Sequence, residues 1–226
     1  MVFRVARGHD AFAPPDWAFA KDDGTFGNRF DDPGAYRGMR EEERFRVIYC
    51  ATQSAGAFGE TMARYRKSPR LLAELQRIDD DDLLDPELEG GTVPEDFRLK
   101  RSLGTTQLND NLIFADFRNG EALTTLGQEL APWLSRFALD EIDLSTITSS
   151  QRRLTQEAAR YVHELANSGQ TVFAGIRYVS RLHADWELWA IFHDRMIHSP
   201  EETAGVIRED DPGLQEAARV LGLTVE

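Results

Sequence analysis

Apolar and polar positions alternate along residues 2–6 (VFRVA) and again along residues 45–51 (FRVIYCA). A period of two predicts half-buried strands, and the second run is rich in β-branched and aromatic residues that favour one. Arg4 stands between Phe3 and Val5, so it points to the opposite face from them, toward water or toward a cleft. The period changes after Ala51. Ala55, Phe58, Met62 and Tyr65 recur at helical spacing and form one apolar stripe, with Thr52 or Ser54 placed to cap the helix. Glu60 projects roughly opposite that stripe, so it faces solvent or a cleft; an i,i+4 pair with Arg64 is the competing expectation. Farther along, residues 97–103, 112–117, 144–148 (LSTIT), 171–180 (TVFAGIRYVS) and 186–197 (WELWAIFHDRMI) read as strands. Residues 71–78 continue the helical pattern, and 121–138 mix helical and turn signals around Pro132. Leu154, Ala158, Tyr161, Val162 and Leu165 form the apolar face of a helix capped by Ser149 or Ser150 and ended by Gly169. Ser199-Pro200-Glu201-Glu202 has the make-up of a helix start. A last helix runs from Pro212 to near Gly222.

Strands and helices follow one another without strict alternation, which predicts an α+β fold. With 226 residues, one domain over 1–226 is expected, with central mixed or antiparallel sheets flanked by helices and with 35–44 and 79–96 as surface insertions. Residues 8–27 are loop-like, and Asp31-Asp32-Pro33-Gly34 is a turn signal directly after Gly27-Asn28-Arg29-Phe30. An arginine held before such a turn offers a planar fork to phosphate or carboxylate, or pairs with Asp31 or Asp32. Asp79 to Asp82 lack the ligand alternation and glycine turn of a calcium loop, so a solvated loop is expected there.

The formal charge of −13 argues against a general nucleic-acid binder. It is unevenly spread: residues 1–70 hold twelve Lys/Arg against ten Asp/Glu, whereas residues 71–100 hold three against ten. A small anionic ligand can therefore sit among the N-terminal arginines while the rest of the surface stays acidic. One cysteine, Cys50, rules out a disulfide within the chain and agrees with a reducing, cytoplasmic setting. Between apolar neighbours Cys50 reads as buried filler. The N-terminus lacks the long apolar run of a signal peptide, and no apolar stretch approaches the length of a membrane span. No GxxxxGK, GxGxxG, HExxH or GxSxG occurs, and the histidines are scattered, so neither a metal nor a standard nucleotide site is expected.

Four pieces occur in one order: a terminal strand with Arg4, GNRF with Arg29, YCATQSAGAFGE from Tyr49 to Glu60, and GIRYVS ending at Ser180. Together they resemble the RES family, named for its Arg, Glu and Ser, over most of the chain from Phe3 to about His193. Leu154-Thr155-Gln156 before GIRYVS also looks like the family. Two departures stand out. Phe30 occupies the position after the second arginine where the family usually has tryptophan. The gap from Arg29 to Tyr49 is longer than usual, so Arg37, Arg40 or Arg44 is an alternative to Arg29.

The resemblance implies a fold similar to that of ADP-ribosyltransferase toxins, and NAD as the substrate. The chain would be the toxin of a bacterial toxin–antitoxin pair, cleaving the nicotinamide–ribose bond by hydrolysis or phosphorolysis. Mono-ADP-ribosylation of a protein target and a non-catalytic interaction role are the alternatives. In that reading Arg4 and Arg29 pair the phosphates, and Tyr49 stacks on nicotinamide or bonds nearby. Glu60 stabilises the positive charge that develops on ribose, and Ser180 orients the substrate. Strand-end bonding for Ser180 and core packing for Tyr178 are the structural alternatives. The implied partner is a helix-turn-helix antitoxin that blocks the cleft and carries any DNA contact. No membrane contact is expected.

Overall fold

A computed structural model describes residues 1–8, 10–68, 90–196 and 203–226. The predicted helix over 71–78, the Asp79–Asp82 loop, most of the 79–96 insertion and the Ser199–Glu202 helix start lie outside the described residues. In chain order the described strands and α-helices are β1 (Val2–Arg7), β2 (Val47–Ala51), α1 (Ser54–Met62), β3 (Thr92–Val93), α2 (Glu95–Leu99), β4 (Arg101–Thr106) and β5 (Phe114–Asp116). They continue with α3 (Gly120–Glu129), α4 (Ala131–Arg136), α5 (Leu144–Thr148), α6 (Arg152–Glu164), β6 (Ala166–Asn167), β7 (Gln170–Thr171), β8 (Gly175–Val179) and β9 (Glu187–Phe192). The C-terminal part holds β10 (Thr203–Val206), α7 (Pro212–Leu221) and β11 (Thr224–Val225). The fold is α+β. A seven-stranded sheet runs in the order β10-β4-β1-β2-β9-β8-β5, antiparallel except for the β5–β8 pair.

The two-residue and helical periods that predict β1, β2, α1 and α6 correspond to these elements, and the predicted last helix is α7. Ala55, Phe58 and Met62 of α1 are buried against Leu214, Ala217 and Ala218 of α7, so Glu60 is left exposed on the other side. The α1 cap is Gln53, without a side-chain bond, in place of the predicted Thr52 or Ser54. Gly222 closes α7 in the left-handed conformation that glycine adopts without strain.

Other boundaries differ for identifiable reasons. Residues 144–148 form α5, a helix, although LSTIT alternates like a strand. The Asp143 carboxylate accepts from the Thr146 amide at 2.7 Å and from the hydroxyls of Ser145 and Thr146, a local cap that outweighs the period. Residues 97–103 divide between the end of α2 and the start of β4. The 171–180 run breaks, with β7 ending at Thr171 and β8 starting at Gly175, and the 186–197 run leaves the sheet after Phe192 in a 3₁₀ turn at His193–Arg195. α6 stops at Glu164, and Gly169 serves instead, with Ser168, as the turn of the β6–β7 hairpin; both have positive φ. Past the undescribed 197–202, the chain is the edge strand β10.

Glycines let the elements close on the site. At Gly175 an added Cβ would stand 2.9 Å from the Ile191 Cα, so the β8–β9 approach excludes a side chain there. At Gly59, the residue before Glu60, a Cβ would enter the ring of Trp186, which is 2% exposed.

Gly59→Ala sets two effects against each other. Helix propensity favours alanine by ~1 kcal/mol, but overpacking a filled site costs ~1–3 kcal/mol. The expected outcome is a lower urea-unfolding midpoint at unchanged slope, and a midpoint at or above the parent's would show that Trp186 gives way.

Candidate active site

β1 and β2 pair at a single position, Phe3 with Ala51. Beyond that pair the ladder stops, and a cavity of about 380 Å³ is lined by Arg4 and Val5 on one strand and Tyr49 and Cys50 on the other. This volume lies within the ~300–1,000 Å³ usual for small-molecule sites. The parting of the strands explains how Arg4 and Tyr49 come to one cavity. By alternation Arg4 shares its face with Val2 and Ala6, which pack beside Ile48 and Cys50, whereas Tyr49 shares the other face with Val47 and Ala51. Arg29, Glu60, Arg152, Tyr178 and Arg181 complete the part of the lining that carries charge or a phenol.

Glu60 and Ser180 meet directly. The Ser180 hydroxyl donates to Glu60 Oε1 at 2.5 Å and accepts from the Leu182 amide at 2.9 Å. Its own amide donates to the Trp186 carbonyl at the β8–β9 turn. Ser180 is 5% exposed, so a buried hydroxyl fixed at two points orients an exposed carboxylate. No Glu60–Arg64 ion pair forms among the described residues; the Arg64 guanidinium lies over the ring of Tyr65.

Arg29 is 8% exposed and is not paired with Asp31 or Asp32 among the described residues. Its Nη1 donates to the carbonyls of Ile147 and Ser149, and Nη2 to that of Thr148 at 3.0 Å. These carbonyls close α5, where a helix carries unsatisfied acceptors and partial negative charge. The carboxylates serve the backbone instead. Asp31 accepts from the Asn28 amide at 2.7 Å, and Asp32 from the amides of Gly34 and Phe45 and from Arg160. Burial, and then the neighbouring Arg152 charge, push Arg29 down to about 10, so it stays a cation at neutral pH.

The GNRF backbone is gripped from α6. Thr155 Oγ1 donates to the Arg29 carbonyl at 2.6 Å and Gln156 Nε2 to that of Asn28 at 3.2 Å. Both side chains are buried, which gives Leu154-Thr155-Gln156 a physical role. The Tyr49 hydroxyl accepts from the Phe30 amide at 2.9 Å and lies 3.4 Å from Asp31 Oδ1. Burial, then the Asp31 carboxylate, raise this phenol well above its ordinary range. Tyr49 therefore presents a ring to the cavity while its hydroxyl holds the loop. Phe30 is fully buried edge-on to Tyr178 and Phe117.

Arg4 lines the cavity and donates to the Ala13 carbonyl at 2.9 Å. The alternative arginines have other partners. Arg37 pairs with the buried Glu157, Arg40 with Glu43, and Arg44 donates to Gly24 and lies over Trp17. None of the three lines the cavity.

Two charged lining residues, Arg152 and Arg181, escape the sequence reading, and Tyr178, read there as core packing, belongs both to the core and to the cavity lining. Tyr178 stands two residues before Ser180 on the same face of the chain, a period that could have signalled it. Arg152 opens α6, and Arg181 follows Ser180. Burial first, then Glu60, raise the Tyr178 phenol, so it keeps its proton at any physiological pH. The cavity thus gathers four guanidinium groups, one carboxylate and two phenol rings. Such a set can bind a compact anion and place a carboxylate beside a centre that becomes positive. Among the described residues no group of three or more His, Cys, Asp or Glu is placed to hold a metal ion. No helix among them is long and apolar enough to cross a membrane.

The family model for the RES domain matches residues 1–210 of the 226, and the chain belongs to the RES-domain family. No curated protein and no solved structure matches it.

Two tests follow from the Arg29 clamp. Tyr49→Phe leaves the Phe30 amide without its acceptor in a buried setting, and a loss of ~1–3 kcal/mol is expected in urea unfolding; an unchanged midpoint would mean that the hydroxyl does not hold the loop. Asp143, exposed but bonded to three donors around the first turn of α5, is held down to about 2 by the Thr146 and Ser145 donors. A carboxyl depressed in the folded state contributes stability above its ordinary value of about 4, and that contribution is lost as pH falls toward 2. Asp143→Asn should lower the stability plateau above about pH 4 and flatten the acid limb of the profile below it. An identical acid limb in both proteins would rule out the cap as its source.

Proposed function

We propose that this RES-domain chain is an NAD-consuming enzyme that breaks the nicotinamide–ribose bond in the cavity between β1 and β2. The observation that carries this reading is Glu60. It is the one carboxylate among the described lining residues, oriented by Ser180, in a cavity with four arginines. The arginines suit the diphosphate of a dinucleotide, and the ring of Tyr49 offers an aromatic face for nicotinamide. When the glycosidic C–N bond breaks, its electron pair leaves with the nicotinamide nitrogen, which loses its positive charge. Positive charge then builds on the ribose at C1′. A carboxylate beside that carbon stabilises it, as carboxylates do in glycoside hydrolysis. Water completes the reaction by adding at C1′ and releasing one proton to solvent, or phosphate completes it by adding through one of its oxygens. Growth arrest by NAD depletion would be the cellular consequence, and a helix-turn-helix antitoxin that covers the cavity the matching partner.

The test is NAD loss on adding the purified chain, with and without phosphate, beside Glu60→Gln and Ser180→Ala. The parent should release nicotinamide with no protein acceptor. Glu60→Gln should lower the rate by roughly 10²–10³-fold, the size of losing a group that acts on transition-state charge. Ser180→Ala should lower it less, because the carboxylate remains. A phosphate requirement would identify phosphorolysis. Labelled ADP-ribose appearing in protein would redirect the reading to transfer, and NAD left intact in every condition would overturn cleavage.

A further inference from the structure

Four arginines line the cavity, but they are not equivalent. Arg29 gives both terminal nitrogens to carbonyls and Arg4 gives one. Arg152 and Arg181 make no side-chain hydrogen bond or ion pair among the described residues. In a chain with 39 acidic against 26 basic residues, the usual fate of an arginine is otherwise. Arg153, next to Arg152, pairs with Glu157 and lies over Tyr36. Arg177, four residues before Arg181, pairs with Glu187.

Two further observations point the same way. The α6 N-terminus opens with Arg152 and Arg153, has no acidic residue in its first turn, and has a cap, Gln151, without a side-chain bond. Basic side chains are therefore stacked on the positive end of a helix, an arrangement that a bound anion relieves. Independently, Tyr178 is 7% exposed and lines the cavity, yet its hydroxyl has no hydrogen-bond partner among the described residues. That hydroxyl is not sealed from solvent, so it is open to the cavity as a donor. Arg152 and Arg181 also both act against the charge of Arg29, and the single carboxylate Glu60 offsets only part of the cavity's positive charge.

We propose that Arg152 and Arg181, with the Tyr178 hydroxyl as third donor, form the phosphoryl-binding group of this cavity, and that Arg29 is the positioning residue holding its floor. This deepens the NAD reading and rests on it for the ligand's identity: the phosphoryl group is that of the dinucleotide or of a free phosphate co-substrate. It also reassigns the phosphate contact from Arg29, whose terminal nitrogens are committed, to the arginines that are free.

The experiment is calorimetric titration of ADP-ribose and, separately, inorganic phosphate into the full chain, Arg152→Gln and Arg181→Gln, with thermal melting of each protein without ligand. Because neither arginine bonds to the protein, both variants should melt at or above the parent temperature. Each should bind ADP-ribose about ten- to a hundredfold more weakly, the scale of one charge-assisted hydrogen bond. That result upholds the pair and makes the dinucleotide's diphosphate its ligand. Weakened phosphate binding with ADP-ribose binding kept upholds the pair and makes free phosphate its ligand. Equal affinities in all three proteins, no binding of either ligand to the parent, or lower melting temperatures at unchanged affinity each overturn it. NAD cleavage is read alongside. A parent that binds ADP-ribose through the pair but leaves NAD intact removes the cleavage reading alone. A parent that cleaves NAD with constants unchanged in both variants removes the pair alone.

Discussion

Burying the charge of Arg29 is the constraint around which the rest of the molecule is arranged. An isolated guanidinium taken from water is costly, and only a full set of acceptors makes it tolerable. The acceptors here are the carbonyls of residues 147, 148 and 149, which the end of α5 would otherwise leave unsatisfied. One requirement thus meets another: the helix end needs donors, and the arginine needs acceptors. The bond spans about 120 positions of sequence, so it also fixes the N-terminal loop against the second half of the chain. Thr155 and Gln156 hold the same loop by its carbonyls, and Tyr49 holds it by an amide. Four segments therefore share one floor.

That convergence explains what could and could not be read along the chain. α1 and α6 follow from periods of apolar positions, because each buries one face against a neighbour, and β2 follows from its β-branched and aromatic run, which is buried on both faces. α5 does not, since LSTIT has the alternation of a strand and its helical state rests on Asp143 bonding three donors. A five-residue helix has too little period to outvote its cap. Gly169 punctuates the chain as expected but one element later, because α6 ends at Glu164 and the hairpin that follows needs a positive φ.

The site was legible in a similar, partial way. The exposure of Glu60 follows from helical projection, since the apolar stripe of α1 leaves it outside, while its choice as a site residue rests on the family resemblance. Ser180 is visible as a strand-end hydroxyl, but its bond to Glu60 depends on the β8–β9 turn reaching α1 in space. Tyr49 is visible as an aromatic on a strand, yet the role of its hydroxyl depends on where Phe30 and Asp31 fall. Arg152 and Arg181 are hidden for a different reason. Nothing in a sequence distinguishes an arginine with a carboxylate partner from one without. Only the folded arrangement, which pairs Arg153 with Glu157 and Arg177 with Glu187, shows which of the described arginines lining the cavity remain without a partner.

The chain's charge makes these remaining arginines more informative than their number suggests. A net charge of −13 sets an anionic exterior that opposes a long polyanion, which would have to lie along it. A compact anion meets different conditions. Screening in salt limits the reach of exposed charges to about 8–10 Å, whereas guanidinium groups lining a cavity act at contact distance and in reduced dielectric. The acidic surface therefore does not cancel the cavity's field; it restricts the ligands that can profit from it to those small enough to enter. Within the cavity the sign is not uniform either, because Glu60 stands among the arginines. A ligand that carries phosphate at one place and cationic character at another meets both signs. A ligand with phosphate alone must leave the carboxylate unanswered, so the placement of Glu60 selects for the mixed charge that the proposed substrate has.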